Sequence, residues 1–501
     1  MKKFNIGDKF LLEELPEILG REVKFEFPKN REKKLFFARK ALENLLKSGK
    51  IIYGINTGFG QLASEVVSSE NLDKLQLNLI RSHACGVGEP LSDLEARALL
   101  FIRAGELARG HSGVRPVLVK TMIDFLNKRI VPRIPKKGSV GASGDLAPSA
   151  HMALCLIGEG FAKFEGEKEW RKTSDILKKA KIKPITLKEK EGLALINGTQ
   201  AMQAAGGLAL WESFNIFYTS IKTAALTIDA LKGTPVAFDE KIHMLKPHPG
   251  QILVAEKLRN FLKDSQIRMS HAKNDKRVQD PYSLRCSPQA MGPMIDNLAF
   301  CRETLEREFT AVTDNPLVFA DGKNVETFSG GNFHGQALSF IYDFAAVNMA
   351  ALGNISERRI AQLVSDFKIL PPFLAKNPGL ESGFMIAHVT AAALCNENKI
   401  LSHPASADSL PTSANKEDFV SMGMNAALKL NEINKNVSSI IAVEMMAAAS
   451  GIEFHRPLKT SPALERFIEK IYYFSPKIEG DCEFSDRMEI LSEQIRKGSF
   501  L

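Results

Sequence analysis

The sequence predicts a mainly α-helical protein, with a central bundle of long helices and a smaller N-terminal globular part carrying loops and short strands. Three observations lead there. Residues 200–231, 291–310, 335–364, 382–402 and 418–451 are long runs rich in Ala, Leu and Ile. In the last run, Ala427, Leu430, Ile433, Val437 and Ile440 recur at spacings of three and four, the period of one helix face. Helices of about thirty residues span about 45 Å, too long for a compact globule, and apolar faces on several sides need partners. A bundle of long helices, shared between subunits, follows. The chain divides accordingly into an N-terminal part at 1–197, the bundle with its loops at 198–455, and C-terminal helices at 456–501.

In chain order, residues 1–50 are lysine-rich, with a helical pattern at 32–46. Residues 51–60, Ile-Ile-Tyr-Gly-Ile-Asn-Thr-Gly-Phe-Gly, read as a short strand running into a glycine-rich loop. Helical patterns follow at 71–82 and 91–107. Residues 138–148, Gly-Ser-Val-Gly-Ala-Ser-Gly-Asp-Leu-Ala-Pro, read as a glycine-rich turn that ends in a helix start. Asp145 or Ser149 is the candidate cap of the apolar run 150–157. The polar, lysine-rich segment 166–184 belongs on the surface. Ser461-Pro462 opens a helix near the end, and 485–495 carries a further helical pattern.

Composition excludes several classes. An apolar fraction of 44% suffices for a sizeable core. The net charge of +8 is spread among alternating cations and acids, so a solvated surface fits better than a nucleic-acid partner. The six cysteines are scattered with no Cys-x-x-Cys, which argues against a zinc site or a disulfide framework and for a reducing compartment. The N-terminus lacks the apolar core of a signal peptide. The apolar stretch 337–352 is interrupted by Asp343 and Asn348, against a membrane span. A cytoplasmic location is the expectation.

The segment 138–148 carries the chemistry. It lacks the Gly-Lys-Ser/Thr ending of a phosphate loop, and Asp145 stands where a nucleophile elbow wants glycine. Ala142-Ser143-Gly144 can instead cyclise. The Gly144 nitrogen attacks the Ala142 carbonyl, and loss of two waters leaves Ser143 as a dehydroalanine within a methylidene-imidazolone ring. A small Ala142, a hydroxyl on Ser143 and a Cβ-free Gly144 are what that bend requires. The stretch Gly-Ala-Ser-Gly-Asp-Leu-Ala-Pro at 141–148 resembles the signature of the aromatic amino acid ammonia-lyases, and most closely that of their histidine-acting members.

The resemblance covers most of the chain from about Tyr53 to Gly423, and it implies roles for further residues. Residues 53–60 look like the family's mobile tyrosine loop, with Tyr53 in proton transfer at the substrate's β-carbon. Residues 82–90 resemble its selectivity segment, with His83 on the substrate ring and Cys85 where alanine is more usual. Asn197, locally a possible helix N-cap, would hydrogen-bond the oxygen of the prosthetic ring. In residues 277–286, Tyr282 and Arg285 are three apart and share one face of a helical turn. Arg285 would clamp the substrate carboxylate in a planar fork, although locally it could simply pair with Asp280. Gln279 and Tyr282 would line the pocket, and Tyr282 joins the catalytic set. Asn315 would assist carboxylate binding, and Phe333 would pack on the ring. Glu417, which with Asp418 also suits the N-terminus of the last long helix, would face the substrate ring. Lys416, Phe419 and the pair Gly335-Gln336 depart from the histidine-acting pattern.

The implied activity is elimination of ammonia from L-histidine to give urocanate, the first step of histidine degradation. Either the substrate's amine or its ring would add to the electrophile. The implied alternatives are a tyrosine or phenylalanine ammonia-lyase, or an aromatic 2,3-aminomutase. The implied cofactor is the self-made ring alone, with no external cofactor and no metal, in a homotetramer with shared active sites. No nucleic-acid or membrane partner is expected.

Overall fold

The computed structural model describes residues 2–273, 275, 277–321 and 324–501. It is mainly helical. The five apolar runs form the helices Gln200–Ala230, Ser287–Phe309, Gln336–Ser365, Met385–Leu401 and Gly423–Glu453. Ala427, Leu430, Ile433, Val437 and Ile440 are all fully buried, as their spacing requires. Gln336–Ser365 is long and apolar enough to cross a bilayer, but 67% of its most apolar window is buried inside the protein, as in a core helix.

The chain forms two compact units that interleave in sequence and do not follow three consecutive segments. The first comprises Met1–Leu208, Arg302–Tyr342 and Pro404–Leu428, and the second Ala209–Cys301, Asp343–His403 and Lys429–Leu501. The unit boundaries fall inside four of the long helices.

In the first unit, short helices surround small sheets. Lys2–Asn5 runs parallel to Val23–Glu26, and Val87–Pro90 pairs antiparallel with Pro135–Lys137. Ile130–Pro132, Phe161–Phe164 and Arg171–Lys172 make a three-stranded sheet, and Leu317–Asp321 pairs with Asn324–Phe328. The helix Asp93–Leu107 is the centre of this unit and is buried on nearly every face. A capping box fixes its start: Glu95 N donates to Ser92 Oγ, and Ser92 N donates to Glu95 Oε2.

The second unit holds the greater part of the long helices. Its core contains the ion pair of Glu444 with Arg359, both fully buried. Thr227 and Ser356 hydroxyls also donate to Glu444, so the carboxylate is well satisfied for a desolvated charge.

Three local expectations are corrected. The short strand expected to open residues 51–60 is absent: turns occupy 53–55, and Thr57 makes only an isolated bridge with Val66. The Asn56 side chain accepts from Ile52 N at 2.7 Å and donates to Lys50 O at 2.9 Å, so it takes the backbone groups a partner strand would use. Ile52 and Ile55 remain buried, packed with Leu42 and Val318. The last long helix starts at Gly423, so Glu417 and Asp418 precede it in a turn. That turn is closed by pairing of Thr412 with Glu417 around three left-handed residues, Ser413, Ala414 and Asn415. Finally, neither candidate caps the helix Leu146–Leu156 through its side chain. Asp145 occupies the N-cap position, but its carboxylate is engaged elsewhere.

Candidate active site

The glycine-rich turn lies in the first unit, gripped from two sides. On one side, Gly144 forms a bridge with Gly198, with Asp145 N donating to Gly198 O at 2.8 Å. Gly144 has φ +72°, and a Cβ there would stand 2.1 Å from Gly198 O. Only glycine fits that contact. On the other side, Met422 N donates to Val140 O at 2.9 Å, and Ala142 packs with Val420 and Met422.

Asp145 ties the turn to the long helix. Its Oδ1 accepts from Ser139 Oγ at 2.7 Å, and its Oδ2 accepts from Met202 N at 2.7 Å. Met202 is in the first turn of Gln200–Ala230, where backbone N–H groups lack helical partners. Asp145 thus caps a helix remote in sequence. Burial pushes its carboxyl up to about 6, against the pull of Ser139, Met202 N and Arg103.

Ser143 is held at both ends. Its carbonyl oxygen accepts from Asn197 Nδ2 at 3.2 Å and from Gly198 N at 3.4 Å. Its hydroxyl donates to Glu417 Oε1 at 3.1 Å. Glu417 is itself oriented by Thr412 Oγ1, which donates to Oε2 at 2.8 Å. Asn197 closes the helix Glu191–Ile196 as its C-cap and does not serve as an N-cap.

Ser143, Asn197 and Glu417 line a cavity of about 380 Å³ together with Tyr53, His83, Gly60, Leu193 and Ser413. Tyr53 OH accepts from Gly60 N at 3.2 Å, within its own glycine-rich loop. His83 Nδ1 lies 2.9 Å from Leu79 O. Ser82 Oγ stands 3.0 Å from the same nitrogen, and in the tautomer protonated at Nδ1 the proton is directed to Leu79 O. Burial lowers the His83 pKa, opposed by the Leu79 bond and by Glu417, and a neutral ring protonated at Nδ1 leaves Nε2 as an acceptor. The cavity is of a size for an amino acid, with two acceptors, His83 and Glu417, among its lining groups.

The other sequence-identified residues lie elsewhere. Asn315 Nδ2 donates to Ser329 Oγ, and its Oδ1 accepts from Gly330 N, so its amide is spent on a turn. Phe333 is half-buried; neither it nor Asn315 lines the cavity. Gln279, Tyr282 and Arg285 belong to the second unit. Gln279 is exposed, and Tyr282 is 71% exposed. Tyr282 and Arg285 do share a face, with the guanidinium 4.6 Å from the ring centroid. Asp280 is paired with Arg277 at 3.1 Å, so Arg285 is not committed to it. Sequence reasoning missed the Gly198 N–H, Thr412 and the part Asp145 plays at Met202. The Gly following Asn197 was the one visible sign, since a close backbone approach often needs glycine.

A family model described as "Aromatic amino acid lyase" matches residues 11–472. The chain is 46% identical over 504 residues to a histidine ammonia-lyase of Koribacter versatilis, covering 98% of this chain and 97% of the relative. Among solved structures, histidine ammonia-lyase from Trypanosoma cruzi superimposes with TM-score 0.91 at 38% identity, over 100% of this chain and 94% of that one. Tyrosine aminomutase from Streptomyces globisporus gives 0.92 at 33% identity, over 99% and 97%.

Proposed function

Because the chain belongs to the aromatic amino acid lyase family, and is a carbon–nitrogen lyase, we propose that it removes ammonia from L-histidine to give urocanate. The observation that carries this reading is the cavity in which Ser143, His83 and Glu417 meet. The residues also fit a methylidene-imidazolone made from Ala142, Ser143 and Gly144. The oxygen that such a ring keeps is the Ser143 carbonyl oxygen, already under two N–H donors. That group supplies an electrophile for the substrate's amine or ring.

The chain's own residues have separable tasks. Tyr53, on the cavity wall, takes the β-proton. His83 Nε2 accepts the N–H of the substrate imidazole. Glu417 holds the Ser143 hydroxyl until that hydroxyl is lost, and its Oε1 is then free to face the substrate ring. Arg285 clamps the substrate carboxylate, with Gln279, Tyr282, Asn315 and Phe333 completing the pocket. In a homotetramer with shared active sites, a neighbouring subunit supplies Gln279, Tyr282 and Arg285. The enzyme works in the cytoplasm, at the first step of histidine degradation.

A tyrosine hydroxyl would also donate to His83 Nε2, which favours tyrosine as the second substrate, but the ring would then meet the Glu417 carboxylate. Leaving a polar group buried and unpaired costs about 1–3 kcal/mol, roughly ten- to a hundredfold in efficiency. Catalytic efficiencies for histidine, tyrosine and phenylalanine should therefore fall in that order. His83→Leu and Glu417→Gln should each narrow the preference for histidine. Ser143→Ala should keep its full mass and lose activity, while wild type should lack two waters. A wild type that prefers tyrosine, or an active chain of full mass, would refute the proposal.

A further inference from the structure

Arg103 is fully buried on the helix Asp93–Leu107. A desolvated guanidinium is ordinarily gripped by a carboxylate through two bonds. Here the acid in reach, Glu106, is 3.7 Å away, and Nε and Nη2 make no hydrogen bond. Glu106 is occupied by Thr313 N, Thr313 Oγ1 and Gln200 Nε2. Among the described residues, the one hydrogen bond of Arg103 runs from Nη1 to Asn197 O at 2.9 Å. That carbonyl belongs to the same peptide as Gly198 N–H, one of the two donors on Ser143 O. Hydrogen bonds in series polarise one another, so a cation on the Asn197 oxygen strengthens the Gly198 donor. The guanidinium also packs close behind this peptide: a Cβ on Gly198 would stand 3.0 Å from Nη2.

We propose that Arg103 is a positioning residue for self-processing of the Ala142-Ser143-Gly144 turn, fixing the Asn197-Gly198 peptide so that both donors bear on the Ser143 carbonyl oxygen. The proposal rests on the reading that the turn cyclises. In that reaction Gly144 N bonds to the Ala142 carbonyl carbon. The Ala142 oxygen leaves as water with the amide hydrogens of Ser143 and Gly144. Ser143 gives up its hydroxyl and its Cα hydrogen as the second water. That Cα hydrogen is adjacent to the Ser143 carbonyl, and donors on the oxygen hold the electron density left as the proton departs. The same donors draw the Gly144 lone pair toward the carbonyl, so their help goes to the elimination and not to the attack.

The test follows the fraction of full-mass chain by intact mass at successive times after induction, for folded protein of wild-type helical content and melting temperature. Loss of a charge-assisted hydrogen bond predicts maturation slowed by about ten- to a hundredfold in R103M/E106Q, in which both buried charges are removed together. R103K, which keeps the charge and loses the planar fork, should be slowed by about tenfold. E106Q alone should mature as wild type does. Wild-type maturation in a folded R103M/E106Q, or in R103K, overturns the proposal, as does E106Q slowed as much as the pair. Should the pair fail to fold, R103K decides. A wild type of full mass would overturn the cyclisation reading itself, a different outcome from normal maturation of the variants.

Discussion

Asp229 shows how a single carboxyl writes itself into the pH dependence of folding. Burial pushes it up to about 6, although Thr460 and Ser265 hydroxyls donate to it. Its folded pKa stands above the unfolded value of 3.8, so the folded chain holds this proton more tightly. The stability it confers is complete below about pH 4 and is lost as pH rises to about 6. Asp229→Asn removes that dependence. In urea unfolding, the stability of wild type relative to the variant should fall between about pH 4 and pH 6 and then level off; a constant difference would contradict the assignment. Residues differ in how far the sequence betrays them. Ser143, Asn197, His83 and Glu417 sit in motifs dense with glycine and polar groups, which single them out as candidates in the sequence, and all four line one cavity. Arg103 reads as one more cation in the helical pattern 91–107. Only the fold reveals that it is buried with its one hydrogen bond on Asn197 O.

At the scale of elements, backbone contact between helices is the feature most sensitive to change. Gly250, in the first turn of Pro249–Leu262, meets Gly292 of Ser287–Phe309. A Cβ on Gly250 would stand 2.1 Å from Gly292 O and 2.7 Å from Ile295 Cγ2. Gly250→Ala must push the two helices apart, at a cost of about 1–3 kcal/mol. Gly330→Ala, with nothing within 4 Å of its Cβ, should change stability by less than about 0.5 kcal/mol. Calorimetry comparing the two melting temperatures checks this, and equal melting would show that the helices yield freely. The long helices were legible because burial on one face imposes a period of three and four. Boundaries were less so. The last helix begins at Gly423 and not near Asp418, since left-handed backbone at Ser413, Ala414 and Asn415 closes a turn that no periodicity announces. The short strand expected at the start of 51–60 failed for a similar reason, as a side chain, Asn56, replaced the neighbour a strand would need.

For the whole molecule, the sequence groups the candidate motifs by likeness, whereas the structure groups them by position. Gln279, Tyr282 and Arg285 are not among the residues that line the cavity with Ser143, Asn197 and Glu417, and in the proposed tetramer a second chain would bring them there. Co-expressed Ser143→Ala and Arg285→Met chains should therefore regain part of the wild-type rate in mixed tetramers, although neither alone is active. Mixed tetramers without activity would show that each chain completes its own site. The span of the contacts around Ser143 has a further consequence, for timing. Asn197 lies 54 residues beyond Ser143, and Glu417 lies 274 beyond it. As the chain emerges from the ribosome, the turn is made long before the residues that hold its two ends. An electrophile that waits for both cannot arise on a nascent chain, where it would meet the free amines and thiols of the cell with no cavity to shield it. If the turn cyclises as proposed, the reactive group would be withheld until synthesis is nearly over.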